Sequence, residues 1–373
     1  MDFSNKAIVI FFIVFICLSG GTLTTDPALS VVDAPSPLEK KPLIAVLPVA
    51  NLSETPSPLE EIRQLLIDAF EQQGMNILEK KILEKFMARH RVRYVGGINR
   101  ETAQALKWET GADAVLISSV ELYSEIFPPK IALTARLVST GNSPKILWID
   151  GIGLAGDDSI GLLELSIIRD SQQLLHKAVR HLATSFGDYL SGEEEKSGRP
   201  VGSTRFWPKT FYRSPILHPV VKYRVAVAPF FNLSQRGLAG EIMALHFAQQ
   251  LKAFGNFALI EPGVVREAFL RTRTIMLDGL SLAGADALFS KLDADLILTG
   301  KIFDYQDYEG GSGKAKVDFS ALLLDRQSGE EVWACESQNE GDEGVFFFGW
   351  GTIHTAHMLA SEMVLSALDT MTE

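Results

Sequence analysis

The chain is poor in cysteine, with only Cys17 and Cys335 in 373 residues. Cys17 lies in an apolar run at the amino terminus, so the folded part holds one thiol, which excludes an internal disulfide and a cysteine-based metal site. Basic charge is also short: 35 Lys and Arg stand against 46 Asp and Glu, for a net charge of -11. That sign excludes the basic footprint a nucleic-acid backbone requires, so no nucleic acid is expected as a partner. It equally excludes electrostatic attraction to an anionic membrane surface. There is no Gly-rich phosphate loop, since Gly310-Gly311-Ser312-Gly313 falls between two strand patterns, where a flexible turn suffices. No Ser has the context of a nucleophile elbow, and Cys335 has no evident His partner; it reads as a small hydrophobe facing inward from a strand. No catalytic residue, metal site or cofactor is expected, and the chain reads as not an enzyme.

The first 21 residues have the three-part pattern of a secretory signal: Lys6, an unbroken apolar run from Ala7 to Leu18, then Ser19, Gly20 and Gly21. The run is short for a membrane span. Cys17 resembles the acylated cysteine of bacterial lipoproteins, although Ile16 stands where that pattern has Gly, Ala or Ser. Two readings stand open: lipidation at Cys17, or a signal cut near Gly21 that takes Cys17 with it. The lipoprotein resemblance, with Leu18 rather than Asp in the next position, implies the outer membrane. Residues 22–41, rich in Thr, Ser, Pro and Asp, read as a flexible tether.

One stretch occurs twice. Ile44-Ala-Val-Leu-Pro-Val-Ala-Asn-Leu-Ser53 returns as Val225-Ala-Val-Ala-Pro-Phe-Phe-Asn-Leu-Ser234, and Gly74 meets Gly255 at the same offset. After one extra residue in the second copy, Ile77-Leu78-Glu79 meets Leu259-Ile260-Glu261. Arg89 and Arg91 then meet Arg271 and Arg273, and Ala112-Asp113 meets Ala294-Asp295. Two tandem copies of one domain follow, at 42–190 and 223–373, with 191–222 as linker. The linker's Gly, Glu and Pro break regular structure. Its aromatic group Phe206, Trp207, Phe211 and Tyr212 is expected to pack on one of the domains, with a partner-binding patch as the alternative.

Periodicity assigns the elements. In the first copy these are a strand 43–49, a helix opening with a capping box at Ser57, Pro58 and Glu60, a strand 75–78, and helices 79–90 and 100–108. A strand 112–120, a hairpin 131–138 and 146–154, and a long helix 160–189 follow. The second copy repeats the order: strand 224–230, helix 238–254, strand 257–260, helices 262–271 and 281–291, strand 294–303, hairpin 316–324 and 331–336, and helix 351–368. Ahead of the last helix, the apolar run 345–350 is read as a buried lead-in, with an exposed adhesive surface as the alternative. The fold class is α/β (α+β), two tandem copies of a mixed sheet of four to five strands with helices packed on it.

On the opening "IAVLP…N" and "VAVAPF.N" strands, the "GADAVLISSV" and "DADLILTGKI" strands, and hairpins ending in Leu147-Trp148 and Val332-Trp333, both copies resemble a known group. These are exported bacterial proteins whose domain is like the amino-terminal domain of TolB and the periplasmic domain of CsgG. The resemblance implies a periplasmic or outer-membrane-anchored envelope protein that works through contacts with other envelope proteins, as an oligomer or not, without catalysis. The hairpins that would build a CsgG-type channel have no counterpart, because Tyr123 to Lys130 and Tyr305 to Lys316 are short.

The remaining polar features are few. Arg89-His90-Arg91 and Arg271-Thr272-Arg273 each end a helix, where positive charge suits the helix dipole. The alternative is an anion or partner contact at Arg89, Arg91, Arg271 and Arg273. His354 and His357 lie one helical turn apart, and Asp157 and Asp158 precede a helix, without further ligands at metal-like spacing. The reading is thus a non-enzymatic exported envelope protein acting as a protein-binding or assembly component. The alternatives are a secretion-channel subunit, or an α/β small-ligand or nucleotide-binding protein with its site at the strand ends near Pro48, Asn51, Pro229 and Asn232.

Overall fold

The two apolar runs that open the copies become the inner strands of two mixed sheets. The computed structural model describes residues 41–158, 167–193, 199–308, 310, 313–345 and 351–372. The signal with Cys17, nearly all of the tether, the beginning expected for the long helix, and 346–350 lie outside the described residues.

The first half runs β1 (Leu43–Val46), β2 (Ala50–Asn51), α1 (Leu59–Gln72), β3 (Asn76–Ile77), α2 (Lys80–His90), α3 (Arg100–Thr110), β4 (Ala114–Ser124), β5 (Lys130–Ser139), β6 (Ile146–Ala155) and α4 (Ser171–Ser191). Its sheet has the order β3-β1-β4-β5-β6, with β2 on β4; β1 is parallel to β3 and β4, and β4, β5 and β6 are antiparallel. The chain moves from β1 to β3 on one side, then back past β1 to β4. Right-handed crossovers in opposite directions must put their helices on opposite faces. The core bears this out: Ile44, Val46 and Leu116 pack with α1 and α4, whereas Ala45, Val115 and Ile117 pack with α2 and α3.

The second half begins with β7 (Thr210–Arg213) and repeats the order as β8 (Tyr223–Val227), β9 (Phe231–Asn232), α5 (Ala239–Ala253), β10 (Phe257–Leu259), α6 (Pro262–Thr272), α7 (Leu282–Phe289), β11 (Leu296–Gln306), β12 (Lys316–Asp325), β13 (Glu331–Glu340) and α8 (Ala356–Asp369). Its sheet order is β10-β8-β11-β12-β13-β7, with β9 on β11. The repeat extends to single bonds. Asp113 Oδ2 accepts from Leu43 N at 2.9 Å and Asp295 Oδ2 from Arg224 N at 2.8 Å, each closing the start of a parallel pair. Trp148 and Trp333 are buried, and each donates its indole N–H to the end region of its own last helix, at Ser185 and Thr370.

Several expectations need correction. Pro58, not Ser57, precedes α1, and no side chain caps it: the Ser57 hydroxyl bonds Thr55 O, and Glu60 pairs with Lys80. The helix expected over 160–189 is α4, capped by Asp170, whose Oδ1 accepts from Gln172 N. The helix expected from Gly351 begins at Ala356, after the cap Thr355. Residues 191–222 are more than a linker: β7 pairs with β13 as an added edge strand, Phe206 and Leu217 are buried, and Arg213 donates to Met371 O and Leu217 O.

Residues 40–373 form one compact unit. The face of the first sheet over β5 and β6 that α4 leaves open is covered by α5 and α8, which also lie on their own sheet. The close approach needs glycine: a Cβ on Gly153 would meet Thr355 Oγ1 at 2.5 Å, and one on Gly97 would meet Gly263 Cα at 2.8 Å. At this seam Arg136 donates to Glu261 through Nε (3.1 Å) and Nη2 (2.9 Å), and to Gly96 O at 2.7 Å. Glu261 also accepts from Ile98 N and Gly263 N. Both side chains are at most 2% exposed.

Removing one partner leaves a buried charge unpaired, so Glu261→Ala is expected to lower unfolding stability by about 3–5 kcal/mol in urea titrations. Arg136→Met combined with Glu261→Leu is expected to cost far less than the sum of the two single changes.

Candidate functional site

The strand ends where an α/β enzyme would gather its chemistry are occupied by loop structure. Asn51 Oδ1 accepts from Ser53 N and Oγ, and Asn232 Oδ1 accepts from Ser234 N and Oγ, with the same distances of 3.0 and 2.7 Å in both halves. The repeated Asn-Leu-Ser is therefore a side-chain turn. These two loops also meet each other: Arg236 donates to Leu52 O at 3.0 Å and to Glu121 O, while Glu54 Oε2 accepts from Gly237 N at 2.8 Å.

Beneath them lies a polar cluster that spacing along the chain did not show. Glu121 from β4 meets His357 from α8 and His246 from α5, all three buried. Glu121 Oε2 lies 2.6 Å from His357 Nδ1 and 3.9 Å from His246 Nε2, and Oε1 accepts from Thr134 Oγ1. The Tyr305 hydroxyl is 3.4 Å from His246 Nε2, and the two imidazole centres are 4.5 Å apart. Burial alone would raise the Glu121 pKa; the two imidazoles and the bonds from His357 and Thr134 outweigh it and hold the carboxylate at about 2. Burial and the neighbouring His357 push His246 down to about 3. One ligand atom from each of Glu121, His246 and His357 lies within 4.8 Å of the others.

The sequence pairing of His354 with His357 dissolves in the structure. His354 precedes α8 and sits by Asp157, with Nδ1 3.6 Å from Oδ2, and it groups with Asp157 and Asp158. Asp158 accepts from Ala155 N. Glu121 and His246 carry no spacing signal: each is a charged or titratable residue between two apolar ones, Val120 and Leu122 in one case and Leu245 and Phe247 in the other. That oddity was the available signal, since a buried charge demands a partner.

The four arginines take different places. Arg89 and His90 share the Glu109 carboxylate at 2.7 and 2.6 Å, and Arg271 pairs with Glu267 at 2.6 Å. Arg91 and Arg273 close α2 and α6 in the left-handed conformation, with φ of 51° and 53°. Arg91, but not Arg89, Arg271 or Arg273, lines a groove of about 510 Å³ between the halves. Arg93, Arg266, Tyr94 and Asn99 join it there, with Arg266 stacked 4.2 Å from the Tyr94 ring centre. Cys335 is buried on β13, and burial pushes its thiol pKa far up, so it is inert.

Fold and site together define a mixed α/β protein of two internally repeated sheets with a polar cluster at the seam. No family model matches the chain, and no curated protein matches it. Among solved structures it is similar to the PelC dodecamer from Paraburkholderia phytofirmans: 16% identity over 43% of this chain and 94% of that one, TM-score 0.30. The lipoprotein GNA1162 from Neisseria meningitidis matches at 20% identity over 38% of this chain and 97% of its own, TM-score 0.29. LpoB from E. coli matches at 15% identity over 32% and 58%, TM-score 0.26. None of these three is a TolB amino-terminal domain or a CsgG domain.

Because Arg91 and Arg273 hold backbone conformations that suit glycine, Arg91→Gly and Arg273→Gly are each expected to leave stability unchanged or raise it by up to about 1 kcal/mol. Relief of left-handed strain is opposed by a freer unfolded chain. Thermal unfolding of the two variants checks this.

Proposed function

We propose that the chain is a non-enzymatic exported bacterial envelope protein that serves as a protein-binding or assembly component, tethered to the outer membrane by a lipid on Cys17. The export signal and the lipoprotein-like Cys17 support the location. One surface carries the protein-contact reading. From the last turn of α6 through the loop to the start of α7, Leu270, Ile275, Leu277 and Leu282 are 62–86% exposed within thirteen residues. Such a concentration of large aliphatic groups in water marks an interaction site. The matching positions of the first half are Ala88, Arg93, Val95 and Arg100, so the run of four exposed large aliphatic side chains belongs to the second half. In the first half this loop packs at the seam beside Gly263 and Glu261; in the second half its apolar side chains stand exposed. The guanidinium-lined groove of Arg91, Arg93 and Arg266 offers a partner's carboxylate a second contact.

A photo-crosslinking residue at position 277, in the envelope of a Gram-negative host, is expected to give discrete protein adducts that Ile275→Asp abolishes. Absence of adducts, or adducts indifferent to Ile275→Asp, would sink the contact reading. The mature amino terminus is expected to begin at Cys17 with a diacylglycerol adduct and to fractionate with membranes. A lipid-free terminus near Thr22 would overturn the anchor.

A further inference from the structure

The Glu121, His246 and His357 cluster is under-bonded for its burial. Of the four imidazole nitrogens, His357 Nδ1 has a short bond to Glu121 Oε2 and His246 Nε2 a long one of 3.4 Å to the Tyr305 hydroxyl, while His246 Nδ1 and His357 Nε2 have no hydrogen-bond partner among the described residues. What singles the cluster out is convergence: one ligand atom from each of the three buried residues lies within 4.8 Å of the others, with Glu121 Oε2 facing His357 Nδ1 and His246 Nε2. We propose that Glu121, His246 and His357 form a site for one divalent transition-metal ion, zinc foremost, which clamps the two halves of the chain together.

The ligand chemistry selects the ion. Two imidazole nitrogens and one carboxylate oxygen suit zinc or cobalt(II), whereas calcium and magnesium take all-oxygen shells and copper(I) prefers sulfur. At Zn–N and Zn–O bonds of about 2.0–2.1 Å, tetrahedral ligands stand roughly 3.3 Å apart. The Glu121–His357 separation of 2.6 Å opens and the Glu121–His246 separation of 3.9 Å closes to reach that value, each by less than about 1 Å. Side-chain rotation suffices. Thr134 fixes the other carboxylate oxygen, leaving Oε2 for the ion, and the Tyr305 hydroxyl stands near enough to serve as a fourth ligand or to hold a water there. The ligands come from β4 of one half and α5 and α8 of the other, so the ion would tie together elements that meet only in the folded chain. Its binding energy would then appear as stability.

Because the cluster is closed from solvent, the test uses the mature chain stripped with chelator, unfolded, and refolded with Zn²⁺ or Co²⁺. The expected result is one retained equivalent per chain, a tetrahedral Co²⁺ absorption spectrum, and a higher melting temperature than the metal-free protein. His246→Leu leaves the Glu121–His357 bond intact, so it is expected to fold and to bind roughly a hundredfold more weakly. If it does not fold, His246→Gln replaces it. Wild-type protein that retains no ion after refolding, or retains as much in the His246 variant as in the wild type, overturns the proposal.

Discussion

The first sheet has a face it does not cover itself, and the rest of the molecule follows from how that face is closed. Helices α1 and α4 take one side, and α2 and α3 take part of the other. The remainder, over β5 and β6, would expose Val138, Ile146 and Ile149 to water at a cost of about 25 cal/mol per Å². Helices α5 and α8 of the second half close it while still serving their own sheet. A duplicated unit has thus become one body, and the apolar cluster runs without a break from Val115 to Phe319.

Sharing a helix layer brings polar groups of both halves into one interior. Arg136 and Glu261 meet in a nearly complete hydrogen-bond set, which orients the halves at the price of desolvating two charges. The cluster at Glu121 is less complete. The contrast between a satisfied pair and an under-bonded trio at the same seam argues for different roles: the first holds register, and the second gathers the three side chains of the proposed ion site.

The halves have diverged where their surroundings differ. The loop after α2 is basic and meets the second half, while the loop after α6 is apolar and exposed. The turn at Asn-Leu-Ser, the Asp that closes the parallel pair and the buried Trp of the hairpin stayed the same, because each satisfies a need internal to its own half.

The order and kind of elements were legible because local periodicity and a second copy gave two independent readings of one pattern. Boundaries slipped where capping decided them, as at Pro58 and Thr355. The strand at Thr210–Arg213 was hidden in a stretch of prolines, since edge pairing is a property of the neighbour β13 and not of the segment. Of the site, the sequence by itself determined the two helices that carry His246 and His357 and a strand expected to end at Val120, one residue short of Glu121. Only the tertiary structure decided that they meet, because their separations of 125, 236 and 111 residues carry no periodic signal and are closed solely by the packing of one half on the other.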